Sequence, residues 1–135
     1  PESDVVTMVV ERDPRLRTMA VFDALANNAD RKGGHILPMT DGHVYGVDHG
    51  ICFAVEPKLR TVLWGWRGDA LTEDELGVVR RVCDALDGGS LGAALGELLS
   101  GEEVRATSRR AEALLSSGLF PEPDPSRPAL PWPPF

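Results

Sequence analysis

NNADRKGGHILPMTDGHVYGVDHGICF, residues 27–53, is the stretch whose reading decides the fold. Two short β-prone runs, residues 36–39 and 44–47, flank Thr40-Asp41-Gly42, so the stretch is expected to fold back on itself as a hairpin. Folding back brings Asp30 and Asp48 to one mouth of that hairpin, with Lys32 and His35 on the Gly33-Gly34 loop beside them. Two carboxylates, an ammonium and an imidazole at one mouth suit a divalent cation bound to a polyphosphate. Carboxylates are hard oxygen ligands, and the ammonium offsets phosphate charge. Phosphoryl transfer asks a protein for little beyond such positioning and charge stabilisation.

These residues carry a resemblance. Asp30-Arg31-Lys32-Gly33-Gly34-His35 resembles the kinase catalytic loop, in which an Asp is followed five positions on by a metal-binding Asn, and Asp48-His49-Gly50 resembles the metal-binding Asp-x-Gly. The segments Asn28-Ala29-Asp30-Arg31 and Val47-Asp48-His49-Gly50-Ile51-Cys52-Phe53 are similar to the Asn-Thr-Asp-Arg and Ile-Asp-Asn-Gly-Leu-Ala-Phe segments of type II phosphatidylinositol 4-kinases. The wider chain, through NNADRKGGH, VDHG, KLRTVLWGW and the closing PWPPF, resembles an uncharacterised actinobacterial family described as phosphatidylinositol 3-/4-kinase-like.

The resemblance implies an α+β fold: the mostly helical C-terminal lobe of a protein-kinase-like domain, with a small β-hairpin carrying the site. It implies ATP and Mg or Mn as cofactors. Asp30 would be the catalytic base or substrate-orienting carboxylate, and Lys32 would neutralise the transferred phosphate. Asp48 would hold the metal that bridges the nucleotide phosphates. His35 stands where the pattern has Asn; an imidazole is a softer ligand than an amide oxygen, so a second metal site built on it would be weaker or would prefer Mn. A kinase also needs a glycine-rich loop and a phosphate-pairing lysine in a lobe that precedes the catalytic loop. The 29 residues before Asp30 contain neither lysine nor glycine. The chain is therefore expected to be the catalytic half of a longer protein, its partners the missing N-terminal lobe and a phosphate acceptor of unknown identity.

Composition bounds the alternatives. A chain of 135 residues, 42% of them hydrophobic, buries one core. We expect a domain over residues 1–120 and a Pro-rich tail over 121–135. No apolar run reaches the length of a membrane span and no leader precedes the fold, so a soluble cytoplasmic protein is expected. A formal charge of −7 disfavours nucleic acid and anionic lipid surfaces as nonspecific partners. Cys52 and Cys83 are expected to be reduced, buried thiols.

Outward from the hairpin, residues 5–10 form an apolar, β-branched run expected to be a strand or extended lead-in. Asp13 and Pro14 then open a helix to about Asn27, with Leu16, Met19, Ala20, Phe22, Leu25 and Ala26 on its apolar face, and Asn27-Asn28 closing it. Trp64-Gly65-Trp66 is expected to pack in the core. Thr72-Glu73-Asp74-Glu75 and Ser100-Gly101-Glu102-Glu103 are capping boxes for helices to about Leu86 and Ser117, and Ser90 is expected to cap a short helix through Leu99. Arg80, Arg81, Arg105, Arg109 and Arg110 alternate with acids and are expected on solvated helix faces.

The region from Phe120 onward holds seven of the eleven prolines, which exclude regular helix, while Trp132 and Phe135 favour a segment strapped back over the domain. Two rivals to an active phosphotransferase stay open: a kinase-like binding or regulatory protein that no longer turns over, motivated by His35, and a zinc hydrolase using His35, His43 and His49 with Asp30 or Asp48. The histidine spacing matches no zinc pattern.

Overall fold

The computed structural model describes residues 2–135; Pro1 lies outside them. Among the described residues the chain is α+β, with five α-helices and one two-stranded antiparallel sheet: α1 (Glu2–Val10), α2 (Arg17–Ala26), β1 (Ile36–Pro38), β2 (Val44–Gly46), α3 (Glu73–Leu86), α4 (Ser90–Gly96) and α5 (Gly101–Ser117). No helix among them is long and apolar enough to cross a membrane.

The amino-terminal run departs from expectation. Residues 5–10 are helical, not extended. The two-stranded sheet offers this run no ladder among the described residues, whereas a helix places Val5, Met8 and Val9 on one face at helical spacing, where Val5 and Met8 are buried in the core. Packing overrides the β preference of the valines.

The helix that leads into the site forms as its residues dictate. Asp13 accepts from the Arg15 amide, and Pro14 to Leu16 make a single 3-10 turn before α2 begins. Leu16, Ala20, Val21, Ala24 and Leu25 enter the core, and Asn27 stops the helix in the left-handed conformation at φ 53°, which Asn tolerates better than most residues. Hairpin register pairs Ile36 with Gly46, Leu37 with Tyr45 and Pro38 with Val44. Ile36 is buried, whereas Leu37 and Tyr45 point outward.

Both capping boxes form, on Thr72–Glu75 and Ser100–Glu103, and Gly118 closes α5 at positive φ. Gly89, not Ser90, caps α4, which stops at Gly96. Helix α5 packs against α3 and α2, burying Ala111 and Leu114 against the common core. Trp66 is buried there beside Phe120, with the Arg12 and Arg17 guanidiniums about 6.0 and 5.9 Å from its ring. Arg17 also pairs with Glu75 at 2.6 Å and so ties α2 to the start of α3.

The Pro-rich tail runs back over the domain. Ala129 accepts from the Thr61 amide and the Trp64 indole, Pro131 is buried, and Pro134 accepts from the Gly33 amide at 2.8 Å. Trp132, which looked like an anchor, is 87% exposed, so Pro131 and Phe135 do the anchoring. The Phe135 ring lies so close over Gly33 that any Cβ there would overlap it. Gly33→Ala should lift the tail and cost about 1–3 kcal/mol in urea unfolding, and adding Phe135→Ala should recover part of that loss.

Hydrogen bonds from Arg17 hold the Glu75 carboxyl below its ordinary value of 4.5. A folded value below the unfolded one means that this stabilisation is present above about pH 4.5 and is lost as pH falls through the folded value. Glu75→Gln should therefore lower stability at neutral pH and flatten the acid limb of a pH–stability profile.

Candidate functional site

The foundation of the site is a buried ion pair. Asp23, on α2, and Arg31, one residue past Asp30, are both fully buried and 2.9 Å apart. Asp23 also accepts from Asn28 Nδ2 at 3.0 Å and Thr61 Oγ1 at 3.4 Å. Arg31 uses its remaining donors on the hairpin: His35 O and Val47 O each lie 3.4 Å from Nη1, and His49 Nε2 lies 2.8 Å from Nη2. One guanidinium thus joins α2, both sides of the hairpin mouth and the Asp48-His49-Gly50 turn. Gly46 leaves room for it, since a Cβ there would stand 3.1 Å from Arg31 Nη1 and 3.2 Å from Met19 Cε.

The backbone around Asp30 is stitched on both sides. The Ala29 amide donates to Ile51 O, and the Arg31 amide to Arg60 O; Arg60 in turn donates to Asn28 O, and Val62 to Arg31 O. Asn28 Oδ1 takes the Asp30 amide at 2.9 Å. Asn27, beyond its cap role, donates to Ala54 O and Glu56 O and accepts from the Lys58 amide, holding the loop that follows the Asp48 turn.

On this platform the residues singled out in the sequence converge. Lys32 Nζ stands 3.9 Å from Asp30 Oδ1, both side chains about a quarter exposed. His35 links the two acidic positions: Nδ1 lies 2.8 Å from Asp30 O and Nε2 lies 3.4 Å from Asp48 Oδ2. Nδ1 is thus held from two sides, by Asp30 O and by the Lys32 amide at 3.4 Å, which leaves Nε2 to face the carboxylate. Asp48 has a left-handed backbone, φ 58°, and its carboxylate is 65% exposed.

The other histidines go elsewhere. His43 stacks edge-on against Tyr45, centroids 4.2 Å apart, at the hairpin tip. His49 leans on Phe22 at 4.9 Å and faces Arg31; burial, and then the Arg31 charge, hold its imidazole below the ordinary value of 6.5, so it is a neutral acceptor at pH 7. No three His, Cys, Asp or Glu side chains among the described residues gather to hold a metal by themselves, which leaves the zinc alternative without a ligand set. Asp48 and His35 do fit a divalent ion of the kind that takes only one or two protein ligands and completes its shell with water and phosphate oxygens. Cys52 and Cys83 are free and half-buried, and burial pushes both thiols up, away from reactivity.

Asp23 was missed as a site residue, although the sequence held a signal: an acid in the middle of an apolar helix face must find a buried partner. That the partner is Arg31 depends on the fold.

Among curated proteins the chain is similar to Protein Rv2133c of Mycobacterium tuberculosis (strain ATCC 25618 / H37Rv), 53% identical over 132 residues. The match covers 98% of this chain and 47% of the relative, so the chain spans about half the length of the protein it matches. No family model matches. No solved structure matches.

Removing one half of the buried pair leaves a charge stranded in the core. Asp23→Ala should cost about 3–5 kcal/mol by urea unfolding. Thr61→Val, which removes a hydroxyl that donates to the same carboxylate and accepts from the buried Leu63 amide, should cost about 2–4 kcal/mol.

Proposed function

We propose that the chain is the catalytic-loop half of a phosphatidylinositol 3-/4-kinase-like phosphotransferase, moving the γ-phosphate of ATP to a hydroxyl acceptor. The observation that carries this reading is the convergence of Asp30, Lys32, His35 and Asp48 at one mouth, with His35 spanning the two acidic positions. Asp30 orients the acceptor hydroxyl and takes its proton as the oxygen attacks phosphorus and the bond to the β-phosphate oxygen breaks. Lys32 offsets charge on the phosphoryl oxygens. Asp48 and His35 would hold Mg or Mn, which supplies charge neutralisation of the nucleotide phosphates.

Two further observations support the reading. Asp48 and Phe53 both adopt positive φ, and their segment is pinned by the Phe53 amide on Ala26 O, so the Asp-x-Gly turn is held in an uncommon conformation at the site. Leu37, Met39, Tyr45, Val47 and Ile51 are exposed apolar residues of the hairpin and the turn that follows it. Such a patch, in a chain that covers 47% of its relative, suits a nucleotide-gripping lobe packed over the mouth.

A second reading, a kinase-like nucleotide-binding or regulatory protein without turnover, is favoured by one feature. His35 occupies the Asn position, and its Nδ1 is already committed to Asp30 O.

Thermal-shift measurements on the full-length protein with ATP plus Mg or Mn separate these readings. Ligand that binds only the folded state raises the melting temperature. Asp48→Ala should abolish the metal-dependent rise, whereas Asp30→Ala should keep it and lose phosphate transfer. Turnover absent in the wild type despite a metal-dependent rise would select the regulatory reading, and no rise with either metal would remove the nucleotide site.

A further inference from the structure

A cavity of about 750 Å³ lies between α5, residues 55–59 and the tail, and none of Asp30, Lys32, His35 and Asp48 lines it. Its volume is in the range of small-molecule sites. Ala24, Val55, Leu59, Trp64, Leu119 and Phe120 make its walls apolar.

Its charged groups are not evenly placed. Arg109 and Arg110 lie at the end of the cavity nearest Asn27, on α5. Contrary to the expectation of a solvated face, Arg110 is half-buried, donating to Leu25 O at 2.8 Å, Ala54 O at 3.1 Å and Thr107 Oγ1 at 2.9 Å. Burial, and then the adjacent Arg109 charge, hold the Arg110 guanidinium below its ordinary value. Arg109, the next residue back on the helix, is exposed and stands between this cavity and a smaller one that it lines with Asp87, Arg105 and Glu112. Two neighbouring cations, one half-buried and one exposed, line the same cavity and favour an anion there. The acids that line the cavity do not supply it: Asp124 faces Arg127 at 3.8 Å, and Glu122 lies beside Gly68, near the C-terminal end of α5.

From Arg110 to Ser117 the helix advances roughly 10 Å at its usual rise, past Ala113 and Leu114, which also line the cavity. That length and apolar wall fit a medium chain, and a planar guanidinium fork matches a carboxylate.

We propose that this cavity binds an amphipathic carboxylate, its chain along α5 and its head at Arg109 and Arg110. The site is separate from the phosphotransfer reading and stands or falls without it.

Calorimetric titration with decanoate tests the assignment, with decyltrimethylammonium as the cationic control. Decanoate should bind saturably and the cation should not. Arg109→Ala should weaken decanoate about tenfold, and Ala113→Phe, which fills the cavity from an exposed position of α5, should abolish binding without unfolding the chain. Absence of decanoate binding, equal binding of the cation, or unchanged affinity in Ala113→Phe would each overturn the proposal.

Discussion

The buried contact between Asp23 and Arg31 is the constraint on which the rest of this structure depends. An ion pair removed from water is tolerable only when every remaining donor and acceptor is satisfied. That demand places Asn28 and Thr61 on the carboxylate, and His35 O, Val47 O and His49 on the guanidinium. Satisfying one arginine therefore fixes the exit of α2, the hairpin mouth and the turn after Asp48 relative to one another. The polar platform under the site is a consequence of that bookkeeping.

The same logic explains how an acidic chain holds together around cations. Arg17 reaches Glu75, Arg12 reaches Asp69, and Arg110 holds two backbone carbonyls. Arginines are used to join elements, which leaves carboxylates in excess on the outside. Arg109 stands apart: it is exposed and lines the large apolar cavity as well as a smaller one shared with Asp87 and Glu112. Around the candidate site the situation is reversed: Asp48 projects into solvent, while His35 is held by a backbone carbonyl and turned toward it.

Much of the architecture could be read locally. Both capping boxes, the Asn27 stop, the Gly118 stop and the hairpin depend on hydrogen bonds between residues a few positions apart, so the residue types announce them. The convergence of Lys32 and His35 on the acidic positions was legible for the same reason: the hairpin that joins them is short. Residues 5–10 misled because β-branched composition favours a strand, while the choice was made by which face could be buried. Trp132 misled because size suggests burial, yet Pro131 and Phe135 make the contacts with the domain and the indole stays outside.

By itself, then, the sequence determined α2, α3 and α5 with their stops, the hairpin, and the gathering of Asp30, Lys32, His35 and Asp48, all through short-range chemistry. Tertiary structure alone decided that Asp23 would meet Arg31, that Arg110 would leave the solvated face for Leu25 and Ala54, and that a cavity would open between α5 and the tail. Those contacts join residues far apart in the chain, or depend on how faces pack. No local pattern encodes which buried charge finds which partner, because that choice is made by the shape of the whole core.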